Sequence, residues 1–285
     1  MTTVLHPPDL GTTPDVKLIA VDMDGSLLDD AKQLHDTFWP LLDELDRRGV
    51  LLCPASGRQY ATLRRQIDRD DLVYIAENGA YVVHHGIEVS SELLPRAAAL
   101  GVVRAVRAAA SDGADLGTVV CGKRSAYIER TDEPFLAQAH PYYALLEEVD
   151  DLTTVDDAIL KVAVYDFGSA EAGAGPLLTP VGEADGARVV VSGEHWVDVM
   201  SPSTDKGTAL RRVQEALGIT REQTMAFGDY FNDLGMLDAA AWSFAMDNAH
   251  PDVRAHARFV APSNNRNGVV RTIASALGID GVGVG

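Results

Sequence analysis

Cysteine is nearly absent from this chain of 285 residues: Cys53 and Cys121 are the only two. Two thiols cannot serve as a disulfide framework for a chain of this size. The fold must therefore rest on its apolar core, and a reducing compartment, the cytoplasm, is expected. Both cysteines lie in apolar stretches and read as inert core thiols. No apolar run reaches the length of about 20 residues that a bilayer demands. The opening MTTVLHPPDLGTTPD lacks a basic segment followed by an apolar one, so it does not read as an export signal; its Pro, Thr and Gly content reads as a loose tail over 1–15. Positive charge is scarce, since 24 Lys and Arg against 42 Asp and Glu leave a net charge of −18. That balance argues against nucleic acid or an anionic membrane as partner. It also means that an anionic ligand needs a metal ion, a placed lysine or a helix N-terminus to hold it. Metal and nucleophile signatures are missing as well. The 8 histidines show no H-E-x-x-H, and there is no G-x-S-x-G elbow.

What the chain does have is an apolar content of 46%, enough for a large core, in an alternating pattern. KLIAVDMD, VLLCPAS and LVYIAENG read as strands. Between them, residues 35–48 repeat Phe38, Leu41, Leu42 and Leu45 at helical spacing, and 58–68 form a second helix. Strand, helix, strand, helix, strand predicts a parallel sheet covered by helices. From about Ala80 hairpin patterns take over, then an Ala-rich helix over PRAAALGVVRAVRAAAS and the strands ILKVAVYDF, ARVVVS and HWVDVMSP. Lys17 and Lys161 flank strands and read as solvated ends. After Pro202 strand and helix alternate again. The expected fold is α/β: a Rossmann-like parallel-sheet core, discontinuous over 16–84 and 200–285, with an inserted α+β domain over 85–199.

Ligands of open parallel sheets bind at the carboxyl ends of the strands. Four features fall there. Asp22 and Asp24 end the first strand, with Gly25 free to turn the chain between them and the following Ser26. Ser56, Gly57 and Arg58 follow the second strand as a hydroxyl, a glycine and a helix start, a small anion site or an ordinary cap. Lys206 opens an amphipathic helix, where a cation opposes the helix dipole and calls for a nearby anion. Gly228 and Asp229 end a later strand, and Asn232 and Asp233 sit in the next helical turn, where an acid is also favoured for structural reasons. Carboxylates, a hydroxyl and a lysine at one sheet edge suit Mg²⁺, which takes few carboxylates and binds substrate phosphate. A carboxylate nucleophile can then form an aspartyl-phosphate.

In this order the four features resemble the haloacid dehalogenase superfamily, and the insert resembles the type IIB cap of its Cof-type subfamily. ENGAYV and DNAHPDV are similar to that subfamily too. The resemblance implies a Mg²⁺-dependent phosphatase of a small phosphorylated metabolite, in the first place a sugar phosphate. It implies Asp22 as nucleophile and Asp24 as general acid and then base, with its backbone carbonyl on the metal. Ser56 and Lys206 would hold the phosphoryl group, with Gly57 and Arg58 beside them and Asn232 on the substrate side. Asp229 would bind the metal and Asp233 its water shell. Asp24 argues against dehalogenation, whose leaving group needs no proton. A phosphomutase or phosphotransferase on the same scaffold, and a silent sugar-phosphate sensor, are the alternatives. Ser26 departs from the usual Thr, a change expected to matter little because either hydroxyl can bond nearby backbone. Asp29 and Asp30 read as solvated loop residues. GTVVCGKR, residues 117–124, nearly matches a phosphate-binding loop, but strand-like flanks and no following helix predict a hairpin instead.

Overall fold

The computed structural model describes residues 13–281. The expected tail over 1–15 therefore lies almost wholly outside the described residues. In chain order the first elements are β1 (Leu18–Asp22), α1 (Phe38–Arg47), β2 (Leu51–Ala55), α2 (Tyr60–Gln66), β3 (Val73–Ala76), β4 (Tyr81–His84) and β5 (Ile87–Ser91). The middle of the chain forms α3 (Arg96–Ser111), β6 (Leu116–Gly122), β7 (Ala126–Ile128), α4 (Glu133–Ala139), β8 (Leu146–Glu148), β9 (Ile159–Asp166), α5 (Ala174–Ala184), β10 (Arg188–Val191) and β11 (Trp196–Met200). The last part forms α6 (Lys206–Leu217), β12 (Thr224–Gly228), α7 (Leu234–Asp238), β13 (Trp242–Met246), α8 (Pro251–His256), β14 (Phe259–Ala261) and α9 (Gly268–Leu277).

Two sheets organise these elements. The larger has the order β14-β13-β12-β1-β2-β3-β4-β5. Its pairs are parallel from β14 to β3, and β4 runs antiparallel to β3. Every residue of β1 is buried, as a central parallel strand covered on both faces requires. The chain adds β2 and β3 on one side of β1 and later β12 to β14 on the other. The carboxyl ends of β1 and β12 therefore border the topological switch point, where open sheets bind ligands. The smaller sheet, β10-β11-β9-β6-β7-β8, is antiparallel except for the β7–β8 pair. Residues 117–124 run from β6 into the turn before β7, a hairpin rather than a phosphate-binding loop.

By its contacts the chain divides into two compact units. One holds the described residues through Ser56, Arg69–Ser90 and those from Asp205 onward; the other holds Gly57–Asp68 and Ser91–Thr204. The β4–β5 hairpin belongs to the large sheet because β4 pairs with β3. Residues 57–68 group with the insert for a local reason. The Gln59 amide bonds both the N–H and the carbonyl of Leu145, each at 2.9 Å. The Thr62 hydroxyl donates to the Tyr142 carbonyl at 2.8 Å and accepts from the Ala144 N–H at 3.0 Å. Lys161 is not a solvated end. It is buried, with its ammonium 3.3 Å from Asp198 and 3.2 Å from the Gly57 carbonyl. Helix α5, which Pro180 and several glycines hide from pattern reading, packs on the insert's sheet through Leu178.

Candidate active site

The site grows from the end of β1. Asp22 is the last residue of that buried strand, so its carboxylate leaves the sheet where β1 and β12 end side by side. The chain then turns tightly, and the Leu27 N–H returns to the Asp22 carbonyl at 3.1 Å. Gly25 makes this turn possible: its φ is +87°, and a Cβ there would collide with the Asp229 carboxylate. Asp229 follows β12, and the next turn brings Asp233 back to it. One Asp233 oxygen accepts from the N–H groups of Asp229 at 2.9 Å and Tyr230 at 3.2 Å.

Lys206 joins the two strand ends. It opens α6, whose N-cap Asp205 accepts from the Thr208 N–H at 2.9 Å. The ammonium is buried and donates to Asp22 Oδ1 at 2.5 Å and to Asp233 Oδ1 at 2.7 Å. These are the anions that a cation at a helix N-terminus calls for. Burial alone would pull the ammonium down, but Asp22 and Asp233 together outweigh it and hold Lys206 above its ordinary range.

Three carboxylates share this one cation. Asp22, Asp229 and Asp233 offer oxygens within 4.8 Å of one another. Burial first, and Asp233 second, push the Asp22 carboxyl well above its usual range against the pull of Lys206. The same two causes push Asp229 up to about 6. Asp22 Oδ2 is buried and has no hydrogen-bond partner. Three acids around one ammonium, with an orphaned oxygen among them, fit a hard divalent cation bound by oxygen ligands. Asp233 is the least suited of the three as a direct ligand, since Lys206 and two backbone N–H groups already engage its oxygens.

The rest of the expected set is distributed as follows. The Asp24 carboxylate is partly exposed and 2.9 Å from the Lys32 ammonium. Ser56 is buried beyond β2, with its N–H on the Ile75 carbonyl and its carbonyl receiving the Asn78 N–H, both at 2.9 Å. Asn232 donates to the Asn78 side chain at 3.3 Å. Gly57 and Arg58 fall in the other unit, where Arg58 reaches Gln66 at 3.4 Å. Ser26 does not bond nearby backbone as expected: its hydroxyl is buried and has no partner.

Residues 19–273 match the family of haloacid dehalogenase-like hydrolases. The chain belongs to that family. This hydrolase is 32% identical over 268 residues to the 5-amino-6-(5-phospho-D-ribitylamino)uracil phosphatase YbjI of Escherichia coli, a match covering 92% of this chain and 96% of the relative. It is 29% identical to the HMP-PP phosphatase of Cronobacter sakazakii over 84% of this chain and 87% of that one. A solved haloacid dehalogenase-like hydrolase from Bacteroides thetaiotaomicron shares the fold, with a TM-score of 0.78 at 23% identity over 91% of this chain and 98% of that one. The hydrolase is thus a phosphatase of this superfamily, and its relatives act on small phosphorylated molecules.

Sequence reasoning missed the scaffold around the turn that follows Asp22 in this hydrolase. Asn248 donates to the Gly25 carbonyl at 2.8 Å, and its side-chain oxygen takes the Asn264 N–H at 3.1 Å. Asn264 in turn donates to the Leu28 carbonyl and to Asp30, both at 3.0 Å. DNAHPDV, which contains Asn248, was the available signal; nothing local marked Asn264. Asp29 and Asp30 are not idle loop residues, since Asp29 accepts the Gln33 N–H at 2.8 Å and Asp30 binds Asn264 and Asn265.

Proposed function

We propose that the protein is a Mg²⁺-dependent phosphomonoesterase that works through an aspartyl-phosphate on Asp22. The observation that carries this is the state of Asp22: Lys206 holds Oδ1, while Oδ2 is buried, unpartnered and surrounded by acids. An oxygen so placed is the nucleophile, and Lys206 fixes its direction. Asp22, Asp229 and the Asp24 carbonyl would hold the ion, with Asp233 supporting its water shell. When bound, Mg²⁺ would offset the negative charge of the phosphoryl oxygens and of Asp22.

In the first half-reaction Asp22 Oδ2 attacks phosphorus, and Asp24 gives its proton to the oxygen of the departing alcohol. In the second, Asp24, now a carboxylate, takes a proton from water as that water attacks the phosphorus of the aspartyl-phosphate. Asp22 is released and inorganic phosphate leaves. Ser56 and Lys206 hold the phosphoryl oxygens, and Asn232, fixed against Asn78, faces the substrate. The relatives named for a phosphoribityl compound support a sugar-like phosphate ester as substrate. The cytoplasm is the proposed compartment, in keeping with two buried free thiols.

The test is turnover of p-nitrophenyl phosphate, then of a metabolite panel, with Mg²⁺ or with EDTA. Activity that survives Asp22→Asn, or is indifferent to EDTA, overturns the mechanism. Phosphate should pass to water and not to a second sugar phosphate.

A further inference from the structure

We propose that Lys32 is a positioning residue for Asp24, presented to its carboxylate by a loop built for that purpose. This role rests on the reading of Asp24 as general acid and base.

The pair itself is plain: Lys32 Nζ lies 2.9 Å from Asp24 Oδ1, and both side chains are partly exposed. Such a pair contributes little to stability. The loop that makes it, however, is costly and well braced. Lys32 has φ +61°, a left-handed conformation that disfavours any residue with a Cβ. The conformation is imposed from both sides. Asp29 winds the loop by accepting the Lys32 N–H on its carbonyl at 2.9 Å and the Gln33 N–H on its carboxylate at 2.8 Å. Asp30 anchors it, taking Asn264 on one oxygen at 3.0 Å and Asn265 on the other at 2.8 Å, while its own N–H donates to the Asn265 side chain at 3.0 Å. Asn264 also holds the Leu28 carbonyl and, through Asn248, the Gly25 carbonyl.

Lys32 therefore hangs from the frame that shapes the nucleophile turn. Asp30 is the other acid near it; its two oxygens hold Asn264 and Asn265, while the Lys32 ammonium lies against Asp24. Strained backbone held in place by surrounding bonds, with little return in stability, is a mark of function. The function that fits is to fix the direction of Asp24, whose side chain is partly exposed. Proton transfer to a leaving oxygen depends steeply on that direction.

The experiment compares Lys32→Met and Lys32→Arg with the wild type, in kcat/KM, on an alkyl phosphate and on 2,4-dinitrophenyl phosphate. For a reaction with a phosphoenzyme, kcat/KM covers the steps through departure of the alcohol. The alkyl ester needs a proton from Asp24 at that point; dinitrophenolate leaves without one. We expect Lys32→Met to lose about tenfold on the alkyl ester, a part of what a general acid contributes, and about threefold or less on the activated ester. Lys32→Arg should recover most of the loss. Equal losses on both esters, no loss on either, or no recovery with arginine overturns the proposal. Asp24→Asn, measured beside them, separates the two readings. A selective loss there but not in Lys32→Met overturns the role of Lys32 alone, whereas no selective loss in either overturns Asp24 as the acid and Lys32 with it.

Discussion

At the scale of single residues, the site gives up stability to hold charge. Asp22 is raised by burial and by Asp233, so its negative charge costs the metal-free folded protein more than it costs the unfolded chain. With Asp22 as the proposed nucleophile, Asp22→Asn should lose activity by about 10⁴-fold or more, without losing stability. Thermal melting in EDTA should show a midpoint equal to or above that of the wild type. Asp229 makes a second case. Burial and Asp233 push its carboxyl up to about 6 in the folded chain against an ordinary 3.8, so between these values the folded chain keeps a proton that the unfolded chain has lost. Stability of the metal-free protein should fall on this account as pH rises through that window, and then level off. On the proposed reading Mg²⁺ binds the ionised carboxylate, so the stabilisation it would give should grow over the same window. Melting curves of the wild type and Asp229→Asn, with EDTA and with Mg²⁺, check both signs.

At the scale of elements, the parts that could be read in the sequence are those whose causes are local. A buried strand, then Gly and Asp within a few positions, marks Asp22 and Asp229 as strand-end acids. Lys206 betrays itself by sitting at the wrong end of a helix. The parts that could not be read depend on distant partners. Lys161 looks like a strand end until β11 places Asp198 beside it. Asp30 is solvated, as its loop position suggests, but its hydrogen bonds to Asn264 and Asn265 come from the turn before α9 and could not be read. Helix α5 carries Pro180 inside it and lacks the composition that marks a helix. The imitation of a phosphate-binding loop at 117–124 has its own explanation: a Cβ at Gly117 would run into the ring of Phe135, so that glycine serves packing. Phe135 is fully buried in the insert's second cluster, with Val119, Ile128 and Ala163. Phe135→Ala should cost about 3–5 kcal/mol in urea unfolding.

At the scale of the whole molecule, the net charge of −18 opposes an anionic substrate on its way to a site that attracts it only at close range. Salt should therefore help. Between about 10 mM and about 150 mM ionic strength the Debye length shrinks from about 30 Å to about 8 Å. Over that range kcat/KM for a dianionic monoester should rise about two- to threefold. The order of the large sheet carries a further consequence, for synthesis. Strand β1 lies between β2 and β12, and β12 begins only at Thr224. The emerging chain thus holds β1 to β3 with one edge of its central strand bare while the stretch Ser91–Thr204 is made and closes a sheet of its own. An open hydrophobic strand edge of that kind is a template for pairing with other chains. The half-made polypeptide on the ribosome, and not the finished enzyme, is the species most in need of a chaperone.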